Sequence, residues 1–426
     1  MSEPRLPFVR RVILGNYKSI KECDVSLGPL TLLVGPNGSG KSNFLDALRF
    51  LSDSLQTNLP HAFKERGDAL GVFRRAKEVS SYFSIELEMN LPDGGGASYS
   101  VTLGHDNRVW SIEEEQCSVC TDSGGEKASF LVKQTQVRRQ VEKSSLPSAP
   151  PALERQLYLF TVAGYPEFSA VYGLLQGMRF YNIDPQQIRR ETSLGKPARE
   201  LLRNGEGALF TAHRLFHNEP VEARIHEYLR AILPTLEEVR FRTSKTDIGS
   251  LCGSYCGAGG EGGVKDPLAG EPLALEFRFC TADTHVAFDP QNISDGTLRA
   301  FGVLLALFQC LDRPANDPIP LVGIEEPEAT LHPAAAGVLF DALREASHFT
   351  QVLVTTHSPD LLDIPDLDVD SLLIVDMVEG RSVLGPADEA SRSIMRDRLS
   401  TAGELLRQNQ LRPESRSPGP VSAETD

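Results

Sequence analysis

Long hydrophobic runs are missing from this 426-residue sequence. The longest, residues 300–311, is twelve residues broken by Gln309, too short to cross a bilayer. The first fourteen residues lack the apolar stretch of a secretion signal. A soluble, cytoplasmic protein without a membrane partner is therefore expected. Sustained heptads are also missing, and Pro and Gly recur every few residues through the middle, which excludes a long coiled-coil arm. No repeat occurs at solenoid periods. Positive charge is scarce: 43 Lys and Arg against 58 Asp and Glu leave a net charge of −15. That excludes a whole-molecule basic footprint for nucleic acid or anionic membrane, but not a local patch.

Cysteine is scarce as well, with seven residues: Cys23, Cys117, Cys120, Cys252, Cys256, Cys280 and Cys310. With no secretion signal they are expected to be reduced. Cys117 with Cys120 and Cys252 with Cys256 would together supply four thiolates for zinc. The plainer reading is two independent pairs in loops, and no nearby His or Cys cluster favours the metal.

What is present is a globular composition, 40% apolar and 24% charged, enough for one large domain or two to three small ones. Residues 8–14 and 30–34 read as strands, the second a short apolar run ending at Gly35 as a buried parallel strand does. Residues 43–55 carry apolar side chains at helical spacing. Residues 82–91 alternate as a half-exposed strand, continued by 99–103 and 109–112. From residue 273 strand and helix signals alternate again, with short apolar strands at 321–324 and 351–355. The expected organisation is an α/β core from residues 1–60 and 273–390, with residues 61–272 inserted as a lobe. That lobe is expected to be strand-rich over 80–112, flexible over 113–150, helical over 167–233 with breaks at Pro185 and Pro197, and a Gly-rich loop over 245–272. A C-terminal helix and a disordered tail are expected over 391–426.

Four motifs carry chemistry. The first is Gly35-Pro36-Asn37-Gly38-Ser39-Gly40-Lys41-Ser42, which satisfies G-x-x-x-x-G-K-[ST] after a strand and before a helix. Its glycines let the backbone wrap phosphate oxygens, and its amides and helix N-terminus offer positive potential. Lys41 would reach the β- and γ-phosphates, and Ser42 would give a hydroxyl to Mg²⁺. With Asn43, residues 35–43 form the expected ATP site. The second is Leu321-Val-Gly-Ile-Glu325-Glu326-Pro-Glu328, an apolar strand running into acids. Glu325 would hold Mg²⁺ through water and Glu326 would orient an attacking water. The third is Ile293-Ser294-Asp295-Gly296-Thr297-Leu298-Arg299 before an apolar helix, with Ser294 placed as N-cap. It reads either as that cap alone or as a phosphate-facing helix N-terminus involving Ser294 and Gly296. The fourth is Gln351-Val-Leu-Val-Thr-Thr-His357-Ser-Pro, which delivers a His to the carboxyl end of a strand, where open α/β sheets bind ligands.

The order of these four elements resembles the ABC-type ATPase head, in the RecF/SMC/OLD-like branch of stand-alone ATPases. Ile-Glu-Glu-Pro-Glu-Ala-Thr-Leu-His-Pro at 324–333, with Thr-Thr-His-Ser-Pro and Ser-Asp-Gly-Thr-Leu-Arg, is specific to that branch. The resemblance spans about residues 8–385, and Gly15-Asn-Tyr-Lys-Ser19 is similar to its first hairpin. It implies a P-loop NTPase fold with a mixed sheet and a large inserted α+β lobe. It also implies a Walker A motif at 35–42, signature at 293–299, Walker B at 321–326, D-loop at 329–333 and switch His357. Glu325 stands where most relatives carry Asp. Asp295 and Thr297 stand where transporter ATPases carry Gly and Gln, which argues against a transporter subunit. No glutamine is assigned to the Q-loop position, since Gln56 lies too near the P-loop helix.

Further implications are a homodimer that sandwiches ATP, with Ser294 of one protomer facing the γ-phosphate held by the other. Glu326, His357 and Lys41 would be the catalytic groups, and Ser42 and Glu325 would hold Mg²⁺. The expected role is a clamp or switch in DNA repair or in defence against foreign DNA. The alternative is a regulatory partner that controls a separate nuclease or toxin without binding DNA. Residues 171–245 hold 12 Lys and Arg against 9 Asp and Glu, with Arg189, Arg190, Lys196, Arg199 and Arg203 close together and a second cluster at Arg74, Arg75 and Lys77. These read as a DNA-facing patch or as ordinary solvated surface. The 69 residues after His357 leave no room for the nuclease module of OLD-type relatives, so a nuclease or effector is expected to be a separate protein.

Overall fold

Leu30–Val34 is apolar on both faces, and such a strand is stable only where both faces are covered. In the computed structural model it lies among parallel neighbours inside a large sheet. The structure describes residues 8–74, 80–106, 109–141, 149–190, 200–243, 273–281, 284–314, 317–364 and 367–414. The strands are β1 (Val9–Tyr17), β2 (Ile20–Ser26), β3 (Leu30–Val34), β4 (Tyr82–Asn90), β5 (Gly96–Asp106), β6 (Val109–Cys120), β7 (Glu126–Lys133), β8 (Gln136–Val141) and β9 (Arg179–Tyr181). They continue as β10 (Leu236–Thr243), β11 (Leu273–Thr281), β12 (Thr284–Phe288), β13 (Leu321–Glu325), β14 (Gln351–Thr356), β15 (Leu372–Val378) and β16 (Arg381–Pro386).

The chain forms two compact units. The first comprises Met1–Asn182, Cys310–Glu328 and Leu339–Asp426, the second Ile183–Gln309 and Ala329–Val338. Among the described residues of the first, thirteen strands make one mixed sheet in the order β8-β7-β6-β5-β4-β1-β2-β16-β15-β3-β14-β13-β9. Strands β9, β13, β14, β3 and β15 run parallel, so their carboxyl ends share one edge. The hairpin β15–β16 turns back towards β2, meeting it in parallel at Ser382 and Ile20. From β2 to β8 every pairing is antiparallel.

The helix Lys41–Gln56 buries Phe44, Leu45, Leu48, Leu51 and Leu55 at helical spacing, as expected. Tyr17, Phe50, Phe63, Phe73 and Phe83 form an aromatic cluster with centroids 4.9 to 6.4 Å apart, edge-on except for the stacked pair Phe63–Phe73, which ties β1 and β4 to the helical layer. No described helix is long and apolar enough to cross a membrane.

The organisation differs from the expectation in three places. Strands β4–β8 continue the main sheet through β1, with Ile13 opposite Glu86 and Leu14 opposite Ile85, instead of opening a separate lobe. The compact second unit is correspondingly smaller than residues 61–272. Residues 113–141, expected to be flexible, are strands: β6 and β7 alternate buried and exposed positions and meet at a tight turn through Gly124. The polar composition hid this because the inward position at 115 is a glutamate. Glu115 is buried, and its oxygens accept from Tyr99 Oη at 2.9 Å, Tyr158 N at 2.6 Å and Leu159 N at 2.9 Å. Pro185 opens the helix Pro185–Arg190 instead of ending one, because proline suits a helix's first turn.

The second unit holds the helices Pro185–Arg190, Ala208–Leu215, Glu219–Ile232 and Asp295–Phe308 with the sheet β10-β11-β12, an α+β assembly. The C-terminal part of the chain carries helices Glu389–Arg396 and Ala402–Arg407. Pro197, the 245–272 loop and the tail beyond residue 414 lie outside the described residues.

Candidate functional site

Strand β3 runs directly into the phosphate loop, and the helix Lys41–Gln56 begins at its end. Gly40 is the N-cap at φ 106° and Gly38 has φ 78°, values that favour glycine. A Cβ at Gly38 would meet open space, whereas a Cβ at Gly35 would lie 1.9 Å from the Val375 carbonyl. Gly38 thus leaves the mouth of the loop bare, while Gly35 lets β15 pass beneath it. Ser42, in the first helical turn, is exposed.

Lys41 is buried, and its Nζ donates to the carbonyls of Gly35 at 2.7 Å and Pro36 at 2.9 Å. Burial lowers its pKa from the ordinary lysine value, and the charges of Glu326 and Glu328 pull it back up. The hydroxyl of Ser39 is buried without a partner in the same loop.

Across the edge, β13 and β14 deliver the acids and the histidine. Glu325 ends β13 opposite Thr355. Glu326 follows at φ 45°, its amide donating to the Thr355 carbonyl at 2.9 Å. A left-handed glutamate costs free energy, and such strain is concentrated at functional sites. The turn aims its carboxylate at the next strand, where Nδ1 of His357 lies 3.1 Å from Glu326 Oε1. Glu328 turns inward and accepts a hydrogen bond from Thr356 Oγ1, while its other oxygen is buried without a partner. Burial raises its pKa, opposed by the Thr356 hydroxyl.

Lys41, Ser42, Glu325, Glu326 and His357 therefore share the carboxyl edge of one parallel block. The bare Gly38, the unpartnered Ser39 hydroxyl and the exposed Ser42 fit a polyphosphate. Ser42 and Glu325 are hard oxygen donors of the kind Mg²⁺ takes alongside phosphate and water.

Two features escaped the sequence reading. Asn182, the first residue past β9, is exposed at the same edge beside Glu325, since Tyr181 pairs with Ile324. The three-residue β9 gave almost no signal in the sequence. Asp46, in the second turn of the P-loop helix, gathers Lys18 Nζ at 2.5 Å, Arg66 Nε at 3.0 Å, Arg49 at 3.1 Å and Tyr17 Oη at 2.8 Å. These cations, led by Arg66, outweigh the cost of burial and hold Asp46 down at about 2. The hub binds the first hairpin to the P-loop helix.

In the second unit, Ser294 is exposed and caps the helix Asp295–Phe308, its Oγ accepting from Thr297 N at 3.2 Å. Asp295 pairs with Arg189 at 2.5 Å, and Arg189 Nη2 also donates to the Ile293 carbonyl. The acid at the start of this helix is thus countered by a cation of its own unit. A Cβ at Gly296 would lie 2.5 Å from the carbonyl of Thr330, itself at φ 69°, so glycine lets the segment at Thr330 run against the helix start.

One member of the candidate basic clusters is paired within its own unit. Arg189 is engaged with Asp295, while Arg75, Lys77, Lys196 and Arg199 lie outside the described residues. Cys117 is buried in β6, where Tyr99 stands opposite it, and Cys252 and Cys256 lie outside the described residues. Among the described residues no group of three or more His, Cys, Asp and Glu is arranged to hold a metal ion.

A family model described as "AAA domain, putative AbiEii toxin, Type IV TA system" matches residues 30–363. The OLD nuclease of Thermus scotoductus is 23% identical over 412 residues, covering 93% of this chain and 68% of that protein. The DNA replication and repair protein RecF of Corynebacterium jeikeium is 38% identical over 86 residues, which is 18% of this chain and only 20% of RecF. A solved structure described as the SmcHead bound to the C-winged helix domain of ScpA superposes with a TM-score of 0.52 at 14% identity, covering 91% of this chain and 100% of that one. That likeness establishes a shared fold.

Proposed function

The chain belongs to this AAA domain family, within the RecF/SMC/OLD branch of ABC-type ATPases, and we propose that it binds and hydrolyses ATP with Mg²⁺ in an ATP-sandwiched homodimer. The observation that carries the reading is the convergence of Lys41, Glu325, Glu326 and His357 on one sheet edge.

In this reading Lys41 releases the Gly35 and Pro36 carbonyls and takes the phosphate oxygens, whose negative charge it offsets through the transition state. Ser42 and Glu325 would hold Mg²⁺, which would offset the negative charge of the phosphates. Glu326 orients the attacking water and accepts its proton. His357 fixes the Glu326 carboxylate from one side and contacts the γ-phosphate from the other. Ser294 and the amides of the helix it caps face the γ-phosphate held by the partner subunit. The pairing of Asp295 with Arg189 removes the charge that would otherwise repel that phosphate.

The proposed role is an ATP-gated clamp or switch in DNA repair or defence. A second reading, control of a separate nuclease or toxin, is favoured by the engagement of Arg189 with Asp295, which takes one cation out of the candidate DNA patch. Phosphate release with and without DNA distinguishes the two. Wild-type turnover lost in Lys41→Ala and Glu326→Gln supports the ATPase, and turnover unchanged in Glu326→Gln refutes the assignment of the acid. Stimulation by DNA favours the clamp, and indifference to DNA favours the regulator.

A further inference from the structure

Beneath the phosphate loop three polar side chains and one backbone carbonyl are linked. Asn43 Nδ2 donates to Ser19 Oγ at 2.7 Å. Ser19 Oγ and Ser382 Oγ are 2.6 Å apart. Ser382 Oγ donates to the carbonyl oxygen of Ser39 at 2.6 Å. A hydroxyl has one proton. Since the Ser382 proton goes to the Ser39 carbonyl, the bond between the serines is donated by Ser19. The direction is therefore fixed: Asn43 to Ser19 to Ser382 to Ser39. Ser382 is 2% exposed, so water does not compete for it, and its amide also donates to the Ser19 carbonyl at 3.0 Å.

The hairpin β15–β16 reaches this position only because the loop is made of glycine there. A Cβ on Gly40 would lie 1.9 Å from Ser382 Oγ and 2.9 Å from Ser19 Oγ. Gly40 thus answers to the hairpin below as well as to its own backbone conformation.

The geometry points to Ser382 as a positioning residue for the nucleotide site, the last donor of a one-way hydrogen-bond chain that holds the Ser39–Gly40 peptide in place and polarises its amide. A carbonyl that accepts a strong hydrogen bond makes the N–H of the same peptide a better donor, and chained hydroxyls reinforce one another. The amide so strengthened is that of Gly40, inside the loop that wraps phosphate. The tip of a hairpin some 340 residues downstream thereby tunes an anion-binding amide. The inference deepens the ATP-binding reading of residues 35–43 and rests on it.

The test uses full-length protein carrying ¹⁵N-glycine. In Ser382→Ala and in Ser19→Ala the Gly40 amide proton, observed without nucleotide, is expected to move upfield, with the thermal midpoint close to wild type. Measured in the Glu326→Gln background to prevent turnover, the Kd for ATP·Mg²⁺ is expected to rise about fivefold in each variant, the weight of one neutral hydrogen bond. The double variant is expected to be no worse than either single one, because the chain acts as a unit. An unmoved Gly40 amide, or losses that multiply in the double variant, would overturn the chain. Should Ser382→Ala fail to fold, Ser19→Ala alone carries both measurements. If the wild-type chain bound no ATP, the ATPase reading would fail, while the amide shift would still decide the hydrogen-bond chain.

Discussion

Nδ1 of His357 lies 3.1 Å from Oε1 of Glu326, and the two residues come from the ends of adjacent parallel strands, β14 and β13. The contact is made by turning Glu326 left-handed, φ 45°, the moment β13 ends. A right-handed or extended Glu326 would aim its carboxylate elsewhere. The strained turn and the histidine thus form one device for holding a carboxylate still at the sheet edge. Glu326→Gln is expected to keep ATP affinity within about twofold and lose about 10²–10³ in turnover. His357→Ala is expected to lose less, about tenfold, because Glu326 keeps its backbone anchor to Thr355. Single-turnover phosphate release checks both.

Lys41→Ala is expected to abolish ATP binding, with no measurable heat on titration of ATP·Mg²⁺. Its ammonium is buried, and neutral methionine at that position is expected to fail equally. Retained binding in both variants would mean that the nucleotide lies elsewhere.

Asp295 and Arg189 make a separable test of the dimer. Arg189→Ala leaves a carboxylate at the start of the signature helix without its guanidinium. ATP binding by the protomer is expected to be unchanged, and ATP-dependent association to weaken by about tenfold, roughly the strength of one partly buried charge pair. Ser294→Arg is expected to block association outright. Analytical ultracentrifugation with ATP·Mg²⁺ reads both, and dimers formed normally by Ser294→Arg would remove the signature from the interface.

Asp46 gives a prediction about acid stability. Its carboxyl is held at about 2, below the ordinary aspartate value of 3.8, so it contributes stability that is fully present above the unfolded-state pKa. That contribution fades as pH falls through 4 towards 2. Asp46→Asn is expected to be less stable than wild type by about 2 kcal/mol at pH 7, with the gap closing below pH 3. Urea midpoints across pH 7 to 2.5 check the convergence, and a constant gap would show that ionisation of Asp46 is not the cause.

Gly296 answers to packing. Gly296→Ala places a methyl 2.5 Å from the Thr330 carbonyl, and backbone at both ends leaves little room to yield. A loss of about 1–3 kcal/mol is expected, measurable as a lowered thermal midpoint without nucleotide.

Much of the sheet edge was legible in the sequence because its signals are local and chemical. Residues 30–34 and 321–325 are apolar runs ended by Gly35 and by acids, and residues 351–356 end at His357. The phosphate loop needs no tertiary information to be seen. What escaped depends on long-range contact. β9 is three residues long and is recognisable only by its pairing with β13. β6 looked like loop because Glu115 occupies an inward position, and only the donors of Tyr99, Tyr158 and Leu159 explain why it can. The Asp46 hub joins residues 17, 18, 46, 49 and 66, and the Ser382 chain joins residues 19, 39, 43 and 382. Neither has a spacing that a sequence pattern would flag. Asp295 pairs with Arg189, over a hundred residues earlier, a partner that no local pattern marks.

The most direct test of the central claim is the mass of Glu326→Gln by light scattering, with and without ATP·Mg²⁺. A species of twice 46.7 kDa that appears only with ATP·Mg²⁺, and is absent in Glu326→Gln carrying Ser294→Arg, is the expected result. A mass that stays the same with and without nucleotide, at saturating ATP in a protein shown to bind it, would contradict the ATP-sandwiched dimer.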